Sequence, residues 1–329
     1  MPLLATIPSQ VFGLFLLFAA AGAAVVLLYV WMIVHEVLHP PRGGLAFALA
    51  RGLPSDPGEL SLPNRSFEVS LAAGKTSTGR PPTMPVWEVS RNAASIDDTA
   101  VTAARLHVVL LHGWGRSRID SLSRIEPFLF EDASVYLPDL RGHGDSRTPT
   151  TLGDREVDDI DRLIASLAPG PVVLAGHSMG ATVAIRCATD GTERERVVGV
   201  IAIAPYDTIA TPISERLATR DLPRGPILRM ALRLLRWRGV SFTDTTECAQ
   251  RLRVPLLVLQ GERDRISPGA TARAIADAGR GEYIELADVE HANHHARHPE
   301  RFETAIRSFL RRVALVEGDS PQSFGGRRA

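Results

Sequence analysis

The sequence predicts an α/β protein: a mostly parallel central sheet with helices on both faces, a small helical cap, and one N-terminal helix of membrane-spanning character. Three observations carry this expectation. From Leu106 onward, short continuous apolar runs alternate with amphipathic stretches, the pattern of strands buried on both faces and joined by crossover helices. The interval from Thr208 to Gln250 breaks that rhythm with helix-compatible sequence and no strand, and long insertions of this kind are often lids. From Val11 to Val34 no charged residue occurs, a stretch long enough to cross a hydrocarbon core of about 30 Å as a helix.

Taken in order, residues 1–34 are expected to form a retained single-pass anchor that contacts the membrane through residues 11–34. A cleaved signal peptide competes, because Ala19 to Ala24 offers small-residue cleavage sites. The apolar run outlasts an ordinary signal core, continues past those sites and has no basic residue in front of it. Arg42 and Arg51 follow the run and no Lys or Arg precedes it, so the positive-inside rule puts the remaining chain in the cytoplasm. Residues 35–65 contain Pro40-Pro41, Gly43-Gly44, Pro54, Pro57, Gly58 and Pro63 and read as a linker that lets the domain stand off the bilayer.

The main domain is expected over 66–312. Phe67 to Leu71 and Pro85 to Val89 read as an antiparallel edge of the sheet. Parallel strands follow at Leu106–Leu111, Ser134–Leu137, Val172–Ala175, Val197–Ala204, Pro255–Gln260 and Glu282–Leu286. Helices are expected near Ser117–Phe130, Asp154–Leu167, Ala181–Ala188, Pro268–Ala278 and Pro299–Val313. The cap occupies 208–250, and 313–329 reads as a flexible tail. Within the cap, Pro226 to Arg238 puts Arg229, Arg233 and Arg236 on one helical face and Leu228, Ala231, Leu232 and Leu235 largely opposite. It is expected to be a lid helix over an acyl site with its arginines in solvent.

Composition removes some functions. The 329 residues carry a formal net charge of zero and no long basic stretch, so nucleic acid is not an expected partner. The only cysteines, Cys187 and Cys248, have neither metal-ligand spacing nor the arrangement of a disulfide framework.

The chemistry gathers around Ser178. Gly176-His177-Ser178-Met179-Gly180 follows the apolar run Pro171–Ala175 and leads into a helix-compatible segment. That is the context of a nucleophile elbow, where glycines allow the strained turn that lifts a serine hydroxyl clear of the sheet. Such a serine needs a base, an acid that orients the base, and donors for a developing oxyanion. The strand ending at Leu111 runs into His112-Gly113-Trp114-Gly115, so the backbone N–H groups of Trp114 and Met179 are the expected oxyanion donors. Asp264, at the carboxyl end of a strand, is the expected acid, with Glu262 and Asp207 as competitors. Four histidines, His291, His294, His295 and His298, follow the last strand. His291 comes first and is the expected base, with His294 as the alternative; His298 precedes Pro299 and belongs to a helix start. Among these four histidines no carboxylate stands at an H-E-x-x-H spacing, so no metal is expected there.

In sequence order, His112-Gly113-Trp114-Gly115, Asp139 to Ser146, Gly176 to Gly180, Gly261 to Asp264, and the His291 region ending in His298-Pro299-Glu300-Arg301-Phe302 resemble the motifs of an α/β-hydrolase from about Ser66 to Leu310. The resemblance implies a cofactor-free hydrolase of esters, amides or related bonds. In it Ser178 is the nucleophile, His291 the base, Asp264 the orienting acid, and Trp114 and Met179 the oxyanion donors. It also implies that Asp139 and Arg141 fix a loop beside the site and that His143 is structural. A serine at the elbow sets the chain apart from relatives that attack with aspartate, such as haloalkane dehalogenases and epoxide hydrolases. The cap position and the stretch from Val254 to Pro268 look like the monoglyceride-lipase and serine-aminopeptidase-like branch. Glu290 stands where that pattern usually has glycine before the histidine. The expected activity is a membrane-anchored serine hydrolase acting on a small ester or lipid-like substrate. The alternatives are an acyltransferase using the same triad and a non-catalytic, membrane-tethered binding protein.

Overall fold

The computed structural model of the chain describes residues 9–71, 81–96, 105–131, 133–222 and 224–318. Helix α1 (Ser9–Leu38) and the short α2 (Leu45–Leu49) precede the sheet. Strands β1 (Asn64–Ser70), β2 (Thr83–Val89) and β3 (His107–Leu111) lead to α3 (Arg118–Leu122) and β4 (Ser134–Pro138). Alternation then sets in with α4 (Arg155–Ser166), β5 (Val172–His177), α5 (Met179–Asp190) and β6 (Val197–Ile203). Helices α6 (Ala210–Thr219), α7 (Pro226–Trp237) and α8 (Thr245–Gln250) intervene before β7 (Leu256–Gly261), α9 (Gly269–Ala278), β8 (Glu282–Leu286), α10 (His294–Arg297) and α11 (Pro299–Gly318).

The eight strands lie in the order β1-β2-β4-β3-β5-β6-β7-β8. Every pairing from β4 to β8 is parallel, while β2 is antiparallel to both β1 and β4. Only β2 therefore runs against the sheet, and β1 returns parallel to β4. The strand order reverses at β3, whose neighbours are β4 on one side and β5 on the other. A crevice opens beyond the carboxyl ends of strands at such a reversal, and His112 to Gly115 and the elbow at Ser178 are the segments that leave β3 and β5 there.

Burial explains the apolar runs. All residues of β3, β4, β5 and β7 are buried, and successive side chains feed opposite cores, as strand geometry requires. Val109 and Leu111 join Ile160, Leu163, Ile185 and Ala184 on one face. Val108 and Leu110 join Leu122, Phe302 and Phe309 on the other.

Four expectations change. The single helix expected over Ser117–Phe130 divides into α3 and a 3-10 turn at Glu126–Phe128, where Pro127 cannot donate a helical hydrogen bond. Of the three helices in the expected cap, α8 packs against α5 and α9 and α7 packs against α1, so the three do not form one separate layer. Helix α11 continues to Gly318, past the expected start of the tail at 313; residues 319–329 lie outside the described residues.

The fourth change concerns the linker. Arg42 O accepts from Gly144 N at 2.9 Å, and Gly43 O accepts from Ser117 Oγ at 2.6 Å. Gly43 has φ +55°, and a Cβ there would lie 3.2 Å from Arg116 C, so the chain needs glycine to approach so closely. Phe47 lies beneath the guanidinium groups of Arg51 and Arg116. The segment expected to act as a spacer is held against the loops that follow β3 and β4.

Helix α1 has 30 residues and a length of about 45 Å. Its first half is exposed, whereas Val30, Ile33 and Val34 are buried in the core cluster that includes Ala231 and Leu235 of α7. Helix α7 thus spends its apolar stripe on α1 and leaves Arg229, Arg233 and Arg236 exposed.

Candidate active site

Ser178 sits at the junction of β5 and α5 with φ +53° and ψ −114°, a conformation that a side-chain-bearing residue holds only when its surroundings enforce it. Three contacts enforce it here. Ser178 N donates to Ile203 O at 2.8 Å. A Cβ on Gly176 would lie 2.2 Å from Gly180 O, and one on Gly180 would lie 2.5 Å from Leu111 O, so both positions tolerate only glycine. The elbow is pressed between β6 and the end of β3.

The Ser178 hydroxyl lies 3.0 Å from His291 Nε2, and His291 Nδ1–H donates to Asp264 Oδ2 at 2.8 Å. The other Asp264 oxygen accepts from Ile266 N at 2.9 Å and Ser267 N at 2.8 Å. Burial pushes the Asp264 carboxyl up, but the His291 hydrogen bond and charge, joined by the two backbone N–H groups, outweigh it and hold the group below its ordinary value. Asp264 is therefore a carboxylate that fixes the ring of His291 with Nε2 toward the serine.

The competing residues go elsewhere. Glu262 accepts from Asp288 N at 2.9 Å, and Asp207 accepts from Thr208 N at 2.6 Å and Thr211 Oγ1 at 2.5 Å at the approach to α6. His294 is buried against His177, with ring centroids 5.9 Å apart, and neither of its ring nitrogens has a hydrogen-bond partner among the described residues. His295 lies beside Phe302, and His298 Nε2–H donates to Ala287 O at 2.7 Å. The four histidines disperse instead of converging. Glu290 has negative φ; the left-handed residue of this loop is Asp288, φ +56°, so position 290 has no backbone need for glycine.

Trp114 follows Gly113, where a Cβ would lie 2.9 Å from His177 Nδ1 and 3.5 Å from Ser178 Cβ. This close approach brings the Trp114 backbone beside the elbow. The backbone N–H groups of Trp114 and Met179 donate to no other group among the described residues. The loop after β3 is tied to the loop after β4 by His112, whose Nδ1–H donates to Gly113 O at 2.9 Å and whose Nε2 accepts from Leu140 N at 3.0 Å. Burial lowers its pKa to about 4, so it is neutral. Asp139 accepts from Arg118 N at 2.8 Å and Asp145 N at 2.9 Å, and Arg141 pairs with Asp159 in the interior. Both residues organise the loop and neither contacts Ser178. His143 is buried, with Nδ1–H donating to Arg141 O at 2.6 Å.

His177 has a part that sequence reasoning did not assign. Its Nε2–H donates to His291 O at 2.5 Å, so the residue before the serine holds the backbone of the histidine that faces it. The variable position of a G-x-S-x-G pattern carries no signal of this kind. A second omission is larger: the pocket that Ser178 lines is also lined by Ile33, Glu36 and Val37 of α1 and by α6.

Residues 108–250 match the model of the alpha/beta hydrolase family. The chain is 35% identical over 100 residues to a soluble epoxide hydrolase of Corynebacterium sp. (strain C12), a match that covers 30% of this chain and 35% of that protein. It is 25% identical over 245 residues to pyrrolizixenacetamide deacetylase of Xenorhabdus hominickii, covering 62% of this chain and 90% of that one. Among solved structures, an esterase of Pyrococcus furiosus superposes with TM-score 0.62 at 20% identity over 84% of this chain and 98% of that one. The fold is that of an α/β-hydrolase, and the similar proteins named above are an epoxide hydrolase, a deacetylase and an esterase.

Proposed function

We propose that this chain is a membrane-anchored serine hydrolase that cleaves an ester or related acyl bond of a small or lipid-like substrate. The observation that carries the reading is the series Ser178 Oγ to His291 Nε2, 3.0 Å, and His291 Nδ1 to Asp264 Oδ2, 2.8 Å. His291 takes the serine proton as Ser178 attacks the carbonyl carbon, and Asp264 stabilises the imidazolium that results. The Trp114 and Met179 N–H groups donate to the oxyanion, each worth about 3 kcal/mol in comparable sites. His291 returns the proton to the departing alcohol, and a water activated by the same ring then releases the acid from the acyl-enzyme.

The anchor reading rests on α1. A window near its start has mean hydropathy 2.7 with none of it buried, and Phe15 and Phe18 are 67% and 71% exposed. An apolar surface of that extent is not left to water. Tyr29 and Trp31 follow at the depth where aromatic side chains favour the interface, and Arg42 and Arg51 favour a cytoplasmic domain.

Labelling of the full chain by a fluorophosphonate tests the catalytic reading. Wild type is expected to label and Ser178→Ala is not; a folded wild type that stays unlabelled refutes the proposal.

A further inference from the structure

The anchor and the reactive serine share one cavity. Ile33 and Val37 present apolar side chains to the pocket of Ser178 from α1, opposite Ile213 and Leu217 of α6. Two further contacts clamp α1 in that place. Glu36 forms a two-point pair with Arg220, at 3.0 and 3.1 Å, and Trp114 Nε1–H donates to Val37 O at 3.1 Å. A helix whose only duty was to tether the domain would need none of these contacts with the site.

We infer that the last turns of the anchor helix form one wall of an acyl-chain subsite, so that the chain of a bilayer amphiphile lies against Ile33 and Val37 when its carbonyl reaches Ser178. The inference rests on the serine-hydrolase reading and extends it to the substrate class. The geometry supplies the route. Trp31 marks the interfacial end of the span and Val37 lies six residues on, on the order of 10 Å further along the axis. An acyl chain drawn up beside α1 would meet Ile33 and Val37 at the pocket, and the apolar area it keeps from water against them favours this route.

The test uses the full chain in phosphatidylcholine nanodiscs and a long-chain alkyl fluorophosphonate bearing a diazirine at its distal end. The serine oxygen attacks phosphorus, fluoride leaves, and photolysis then marks what the chain touches. Crosslinks to residues 30–38 of α1 are expected. Labelling of Ser178 with crosslinks confined to other segments overturns the inference and leaves the hydrolase reading standing, whereas no labelling removes both. In parallel, Ile33→Trp and Val37→Trp are expected to lower the ratio of kcat/KM for p-nitrophenyl dodecanoate over acetate by about tenfold or more. Leu27→Trp, at a position 59% exposed on the same helix, leaves the ratio unchanged. An unchanged ratio in both pocket variants that still accept the fluorophosphonate also overturns it.

Discussion

The indole N–H of Trp114 donates to the carbonyl oxygen of Val37 at 3.1 Å. Val37 lies in the last turn of α1, where backbone carbonyls have no partner within the helix, and Trp114 also carries one of the two backbone N–H groups assigned to the oxyanion. One side chain thus caps α1 while its own backbone lies beside the elbow. Arg216 of α6 lies over the same ring, 4.4 Å from its centroid.

Trp114→Phe keeps the ring and removes the donor. The variant is expected to lose about 1 kcal/mol, to raise hydrogen exchange in residues 34–38, and to slow fluorophosphonate labelling several-fold. Exchange at wild-type rates would show that the contact does not hold the turn.

His291→Ala is expected to abolish labelling of Ser178, whereas His294→Ala retains it, because His294 packs on His177 and does not reach the hydroxyl. Asp264→Asn should keep the fold and lower kcat by about 10⁴, as loss of the orienting carboxylate does in comparable triads. Equal losses in the two histidine variants would reopen the identity of the base.

Gly113→Ala should disturb the site without unfolding the sheet. The added Cβ would lie 2.9 Å from His177 Nδ1 and 3.3 Å from His177 O, so either the elbow or the loop must shift. A displacement of this size is expected to slow ester hydrolysis by about 10–100-fold with an unchanged far-UV circular dichroism spectrum.

Acid should destabilise the fold from about pH 6.5 downward through its buried histidines. Burial lowers His112 and His107 to about 4 and His143 and His294 to about 3, against an ordinary 6.5. As pH falls below 6.5 the unfolded chain takes up these protons first. The stability is fully present above 6.5 and is lost as pH falls toward the folded values. His294→Phe is expected to flatten the decline between pH 6 and pH 4 by up to about 1.4 kcal/mol per pH unit. Urea midpoints across that range measure it, and a slope equal to wild type refutes the assignment.

Strands β3 to β7 and the elbow were legible because each is a local matter. A continuous apolar run bounded by glycine or proline reports a doubly covered strand, and the glycines at 176 and 180 report a turn that a Cβ would obstruct. Asp264 and His291 could be nominated by their positions after β7 and β8, since strand ends converge on the crevice. The contribution of α1 to the pocket was not legible. Ile33 and Val37 look like any apolar residues of a membrane helix, and only their place in the wall of the pocket that Ser178 lines sets them apart. The linker was misread for a related reason: prolines and glycines at 40–44 mark an irregular path, but such a path is equally suited to lying tightly against a surface, as the bonds of Arg42 O and Gly43 O show.

That tight path has a kinetic consequence. With Arg42 and Gly43 fastened to the body of the protein, no slack remains between α1 and Ser178; on the proposed reading, with α1 in the bilayer, the serine would be held at one height above the membrane plane. An enzyme held in this way would sample its substrate in two dimensions. Its turnover would follow the mole fraction of substrate among the surrounding lipids, so diluting that substrate with inert lipid would slow it even at constant amount per volume.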